Sequence, residues 1–158
     1  MEIKAVKLYE NGFMTQALAF GGEGMDGINP TVKYRSSLQN YVIDTGSEII
    51  LVDTGMPSEV PDAIPDEKTL IYMGSRINSY VDALAELGYK PEQFSKILIT
   101  HKHADHTGEL RAFPNAKIYA SREECKADEL QYPNVVPVDF TAGPYANFEK
   151  SQKIAEGV

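Results

Sequence analysis

The sequence predicts an α/β (α+β) chain forming one domain. Three observations point there: short β-branched runs bounded by turn residues, one segment of helical periodicity, and an order of hairpin-like strands first and strand–helix crossovers later. Ile3 to Tyr9 alternates as a strand does, and Asn11-Gly12, two residues tolerant of positive φ, predicts a hairpin turn returning through Phe13 to Phe20. Gly21, Gly22, Gly24 and Gly27 with Asp26, Asn29 and Pro30 predict a loop. That loop is no phosphate cradle, because no Gly-Lys-Ser/Thr follows it. Leu38 to Asp44 and Ile49 to Asp53 read as two strands joined by Thr45-Gly46-Ser47, with Asp44 a turn residue. The three prolines between Pro57 and Asp66 require a loop. Ile77, Tyr80, Val81, Leu84 and Leu87 share one helical face, predicting a helix over Ser75 to Leu87 that Gly88 ends. Ile97-Leu98-Ile99 reads as a buried strand within Lys96 to Thr100, and Ala116 to Ala120 as another. Ser121, with Glu124 three residues on, predicts a capping box opening a second helix, and strand fragments and loops follow Pro133.

Composition narrows the function. A chain of 158 residues that is 42% hydrophobic and 24% charged can bury a core. Its formal charge of -8 argues against nucleic acid, whose phosphates need clustered Lys and Arg, and is compatible with attraction of divalent cations. No apolar run is long enough to span a membrane, and Met1-Glu2-Ile3-Lys4 opens no signal peptide. A single cysteine, Cys125, permits no internal disulfide and suits a reducing, cytoplasmic setting. With no histidine near it in sequence, Cys125 is read as incidental.

All three histidines fall within His101-Lys102-His103-Ala104-Asp105-His106, directly after a predicted buried strand. If strand geometry persists, His101 and His103 point to the same side and can share one ion. Asp105 and His106 follow a turn and can address a second. Imidazole with carboxylate suits zinc, iron, nickel or manganese better than calcium or magnesium. The expected cofactors are therefore two divalent ions, zinc first, with His101, His103, Asp105 and His106 as ligands. Asp105 is also the candidate to position or deprotonate an attacking water. Neither an H-E-x-x-H zinc motif nor a Ser-His-Asp triad accounts for three histidines at this spacing.

His101-x-His103-x-Asp105-His106 resembles the central motif of the metallo-β-lactamase superfamily, and Leu51-Val52-Asp53-Thr54-Gly55 looks like its first motif. Asn40 to Gly46, the helix Ser79 to Leu87 and Ile97-Leu98-Ile99-Thr100-His101 are similar in layout to the quorum-quenching N-acyl-homoserine lactonase branch. The resemblance implies an αββα sandwich, present as roughly its N-terminal half. It implies Asp53 beside the metal loop, orienting ligands without binding metal. It implies a metal-dependent hydrolase that attacks an ester, lactone or thioester carbonyl of a small molecule through a metal-bound hydroxide.

The departure from the family lies in what is absent. The family completes its sites with two further histidines and a bridging aspartate from the second half of the fold. This chain has no fourth histidine, and neither Asp128 nor Asp139 sits in a matching motif. Residues 1–158 are therefore expected to form a single partial domain, inactive or very weakly active alone. The rival expectation is a catalytically inactive fragment or homo-oligomeric assembly module carrying a relic metal motif. Specificity is expected to reside in the loops at Gly21 to Pro30 and Pro57 to Asp66, and in the second half.

Overall fold

A computed structural model describes residues 1–21, 26–29 and 31–158. The strands are β1 (Glu2–Lys7), β2 (Tyr9–Thr15), β3 (Lys33–Ser36), β4 (Gln39–Asp44), β5 (Ile49–Val52), β6 (Ile71–Arg76), β7 (Phe94–Leu98), β8 (Lys117–Ser121) and β9 (Val135–Val138). The helices are α1 (Gln16–Ala19), α2 (Tyr80–Glu86) and α3 (Ala104–Thr107). Six strands form one sheet in the order β1-β4-β5-β7-β8-β9, and three form a second in the order β3-β2-β6. The β1–β4–β5 portion is antiparallel, whereas β5, β7, β8 and β9 run parallel.

The run Ile49-Ile50-Leu51-Val52 is apolar throughout because β5, central in the sheet and parallel to β7, is covered on both faces. Leu51 and Ile50 point oppositely, yet neither is exposed. The Leu51 face joins Val6, Val42, Ile97 and Ile118 in the core beneath α2. On the Ile50 face, its register partner Lys96 donates from Nζ to the Ile154 carbonyl at 3.2 Å, so the C-terminal segment lies across that side. Helix α2 begins where the Ser79 hydroxyl accepts from Asp82 N at 3.2 Å, and it buries Tyr80, Ala83 and Leu84. The Tyr80 and Phe94 rings both meet Phe113 edge to face, with centroids 6.0 and 5.6 Å away.

Three expectations are corrected. Asn11-Gly12 is no turn: both residues lie inside β2, which pairs with β3 and β6 and not with β1. The sequence tolerates positive φ here for a different reason. Asn11 adopts φ 62° opposite Gly74 at φ 109°, and a Cβ on Gly12 would stand 2.5 Å from the Met73 carbonyl oxygen. Gly12 thus allows a close backbone approach between strands. The return segment Phe13 to Phe20 also breaks at Gln16, where α1 starts.

The helix expected from Ser75 begins only at Tyr80, because Ser75 and Arg76 belong to β6 and the Ser79 cap sets the true start. Ile77 and Val81 are exposed, so the buried face is Tyr80-Ala83-Leu84 instead. Finally, no α-helix follows Ser121. The Ser121 hydroxyl does accept from Glu124 N at 3.2 Å, but only two short 3-10 turns form, at Glu124–Lys126 and Asp128–Leu130. The glycine-rich loop expected at Gly21 to Pro30 falls in part on residues 22–25 and 30, which lie outside the described residues. Asp44, expected as a turn residue, is instead the last residue of β4, though its Oδ1 accepts from Gly46 N at 2.8 Å and shapes the turn that follows.

Candidate metal centre

Parallel strands open a crevice beyond their C-terminal ends, where loops diverge and side chains can converge. Asp53 follows β5 directly and Thr100 lies two residues beyond β7, so both project into that crevice. The strands are tied together at this point, Asp53 N donating to the Leu98 carbonyl at 2.9 Å. His101 to His106 then cross the top, His103 capping the one-turn helix α3 that carries Asp105 and His106.

Asp53 is buried and adopts φ 60°, a left-handed conformation that costs energy for any residue with a Cβ. The conformation aims its carboxylate at the loop. Oδ1 accepts from Thr100 N, and Oδ2 from both Thr100 Oγ1 and His106 Nδ1, each at 2.8 Å. From below, the Tyr80 hydroxyl donates to the Asp53 carbonyl at 2.7 Å. Burial, then the Asp53 carboxylate, push the Tyr80 phenol well above its ordinary pKa, so it remains a donor.

The residues after Asp53 lock the loop in place. Thr54 N donates to the His106 carbonyl at 2.7 Å, and Thr54 Oγ1 accepts from Glu109 N at 3.2 Å. Gly55 N donates to Asn40 Oδ1 at 3.0 Å, leaving Asn40 Nδ2 buried with no partner among the described residues. Gly108 N reaches the Gly55 carbonyl at 2.9 Å. That approach needs glycine, because a Cβ on Gly108 would lie 2.2 Å from Pro57 N. Glu109, also buried, accepts from Ser58 N and so couples the histidine loop to the Pro57–Asp66 loop. Arg76 fastens the far side of that loop, its Nη2 donating to the Pro57 and Val60 carbonyls and its Nε to Asp62.

The ligand candidates stand as two pairs. His101 Nε2 and His103 Nδ1 face each other at 3.1 Å, and His106 Nε2 faces Asp105 Oδ2 at 3.4 Å. Two donors on one tetrahedral zinc are separated by about 3.3 Å, from metal–ligand bonds of about 2.0–2.1 Å. Each pair therefore has the spacing of ligands to a shared ion, and the donor chemistry fits zinc-class metals. The His101 and His106 ring centroids are 4.0 Å apart, which brings the pairs side by side. Among the described residues no group of three or more His, Cys, Asp or Glu is gathered to hold an ion. Among the described residues each pair brings two donors together, fewer than the three usual at catalytic zinc.

Burial, then His106 and His103, hold His101 below the ordinary histidine value of 6.5, favouring the neutral imidazole that binds metal. A folded-state pKa below the unfolded one means that the unfolded chain binds the proton more readily in that window. Metal-free stability should accordingly fall as pH drops through the ordinary histidine range, and this contribution should vanish above it. Urea midpoints at about pH 7.5 and about pH 5.5 test this, and His101→Gln should show the smaller decrease.

Two residues that the sequence did not flag shape this centre. Thr100 touches Asp53 and, at 3.1 Å, His101 Nδ1. Glu124 accepts from Lys102 N at 2.7 Å, pinning the loop between the first two histidines. Thr100 looked like the end of an apolar run and Glu124 like a helix cap, and neither carries a longer-range signal. Cys125 is half-buried, with its thiol pKa raised first by burial.

Residues 39–137 match the metallo-beta-lactamase superfamily profile, and the chain belongs to that superfamily. It is similar to the N-acyl homoserine lactonase of Bacillus cereus, with 33% identity over 97 residues, covering 58% of this chain and 39% of that protein. It is also similar to the Metallo-beta-lactamase domain-containing protein 1 of Mus musculus, with 37% identity over 54 residues, covering 34% of this chain and 21% of that protein. Among solved structures, an AiiA mutant of B. thuringiensis with N-decanoyl-L-homoserine at its active site superposes with a TM-score of 0.63 at 22% identity, covering 92% of this chain and 61% of that one. AidC, a dizinc quorum-quenching lactonase, superposes with a TM-score of 0.56 at 18% identity, covering 90% and 63%. These likenesses show an α/β metallo-β-lactamase fold. The chain spans well under half the length of the Bacillus cereus relative. Among the described residues no helix is long and apolar enough to cross a membrane.

Proposed function

We propose that this chain carries the ligand-bearing part of a metal-dependent hydrolase that opens a lactone, with N-acyl homoserine lactones as the first substrate class. The observation that carries the reading is the double pairing, His101 Nε2 with His103 Nδ1 and His106 Nε2 with Asp105 Oδ2, above the buried Asp53. Relatives named as N-acyl homoserine lactonases support the substrate class. Residues 1–158 are read as one partial metallo-β-lactamase-like domain.

His101 and His103 would hold one ion, and Asp105 and His106 the other. Zinc is the first choice, with iron, manganese or nickel as alternatives. When bound, such ions polarise a carbonyl and acidify water. Asp105, whose Oδ2 is committed to the pair with His106, would accept a proton from the attacking water on its other carboxylate oxygen and align that water with the carbonyl carbon. Asp53 stays away from substrate and holds the ligands through Thr100 and His106. A cavity of about 160 Å³ beneath the Pro57–Asp66 loop, lined by Met56, Val60, Tyr72 and Met73 among others, provides apolar space beside the loop that follows Gly55. The shallower concavities lined by Tyr145, Ser151 and Gln152 contain no residue of the histidine loop.

Acid release from N-hexanoyl-homoserine lactone tests the proposal. A chain extended to the relatives' full length should hydrolyse the lactone, lose activity to a chelator and regain it with zinc, while residues 1–158 alone should be far slower. Chelator-resistant hydrolysis by the extended chain would contradict the metal-dependent reading.

A further inference from the structure

The hydrogen-bond pattern around Asp53 leads one step beyond the metal reading and rests on it. An ionised carboxylate only accepts. Thr100 N, Thr100 Oγ1 and His106 Nδ1 all approach Asp53 at 2.8 Å, so each must give it a hydrogen. The Thr100 hydroxyl has only one, and it is directed to Asp53 Oδ2. Toward His101 Nδ1, 3.1 Å away, Thr100 Oγ1 can therefore act only as an acceptor. Nδ1 must then carry the proton. A neutral imidazole has a single N–H, so Nε2 of His101 is left as a bare lone pair, facing His103 Nδ1 at 3.1 Å.

We propose that Thr100 is a positioning residue that fixes His101 as its Nδ1–H tautomer. One buried carboxylate thereby sets the tautomer of one histidine in each ligand pair: His106 directly, and His101 through the Thr100 hydroxyl. The competing contact from Thr100 Oγ1 to His106 Nδ1 is longer, at 3.4 Å, so the two relays remain separate. The hydroxyl is what matters, and the threonine methyl has no part in the relay.

Long-range nitrogen–proton correlation spectra of the metal-free protein, at a pH where its imidazoles are neutral, read the tautomer directly. The wild type should show His101 protonated at Nδ1 and bare at Nε2. Thr100→Val should shift His101 toward the other tautomer while leaving His106 unchanged, and Thr100→Ser should restore the wild-type pattern. Zinc affinity at the His101–His103 pair should fall about tenfold in Thr100→Val and recover in Thr100→Ser. A wild-type His101 bare at Nδ1, or a Thr100→Val spectrum with His101 unchanged, would overturn the proposal. Should the tautomers behave as stated while zinc leaves the His101 and His103 signals unmoved, the relay stands and the metal reading fails.

Discussion

Replacing Asp53 with alanine should lower folding stability by about 3 kcal/mol or more and abolish metal retention. Three donors, Thr100 N, Thr100 Oγ1 and His106 Nδ1, would lose their acceptor around a buried position. A buried polar group without a partner costs about 1–3 kcal/mol; Thr100 is exposed and can turn to water in part, so most of the loss falls on the partly buried Thr100 N and His106 Nδ1. The φ of 60° adds about 1 kcal/mol for alanine, which lacks the local hydrogen bonding that lets Asp and Asn enter this region. Asp53→Asn should separate the two effects. It tolerates the backbone but offers an N–H to groups that are themselves donors, so stability should recover in part and metal binding should not. Urea midpoints with the slope checked for constancy measure the first quantity, and zinc titration the second. An alanine variant within about 0.5 kcal/mol of wild type would show that Asp53 does not hold the histidine loop in place.

The second large effect is expected at Gly108. Its φ of -62° suits any residue, and replacing glycine with alanine in helical backbone ordinarily gains about 1 kcal/mol. Here the sign should reverse. A Cβ would sit 2.2 Å from Pro57 N and 2.6 Å from the Gly55 carbonyl oxygen, and backbone cannot swing aside as a side chain does. Gly108→Ala should break the Gly108 N to Gly55 bond, part α3 from the Asp53 turn, and destabilise by about 3 kcal/mol. Gly88→Ala makes a useful comparison. Nothing lies within 4 Å of a Cβ there, so its penalty comes only from the φ of 87°. Thermal midpoints of the two variants, with zinc uptake measured alongside, check both statements. Only Gly108→Ala should disturb uptake.

Much of this was legible because it is local. The apolar runs at Ile49 to Val52 and Ile97 to Ile99 predicted buried strands, and the Thr45-Gly46-Ser47 turn predicted the antiparallel partner of the first. The histidine cluster marked the loop, since no other histidine exists in the chain. What failed depended on distant partners. Asn11-Gly12 has the composition of a turn, yet its glycine serves a close approach to Met73, some 60 residues further along the chain. Strand β6 was missed because Gly74 and Ser75 interrupt its apolar pattern, and only pairing with β2 makes it a strand. Glu124 fits a capping box locally, but its carboxylate reaches the backbone of Lys102. Thr100 could not be recognised before the fold brought Asp53 within 2.8 Å of it.

If two ligand pairs on one loop each address an ion, a calorimetric zinc titration of the metal-free chain should resolve both. Uptake should be weak at two sites, each pair contributing only two donors. His103→Ala should remove one site and His106→Ala the other, and acid should weaken both as protons compete for the imidazoles. No uptake at any zinc concentration, or uptake unchanged by either substitution, would mean that the pairs bind no ion and leave the histidine cluster as a relic on a structural domain.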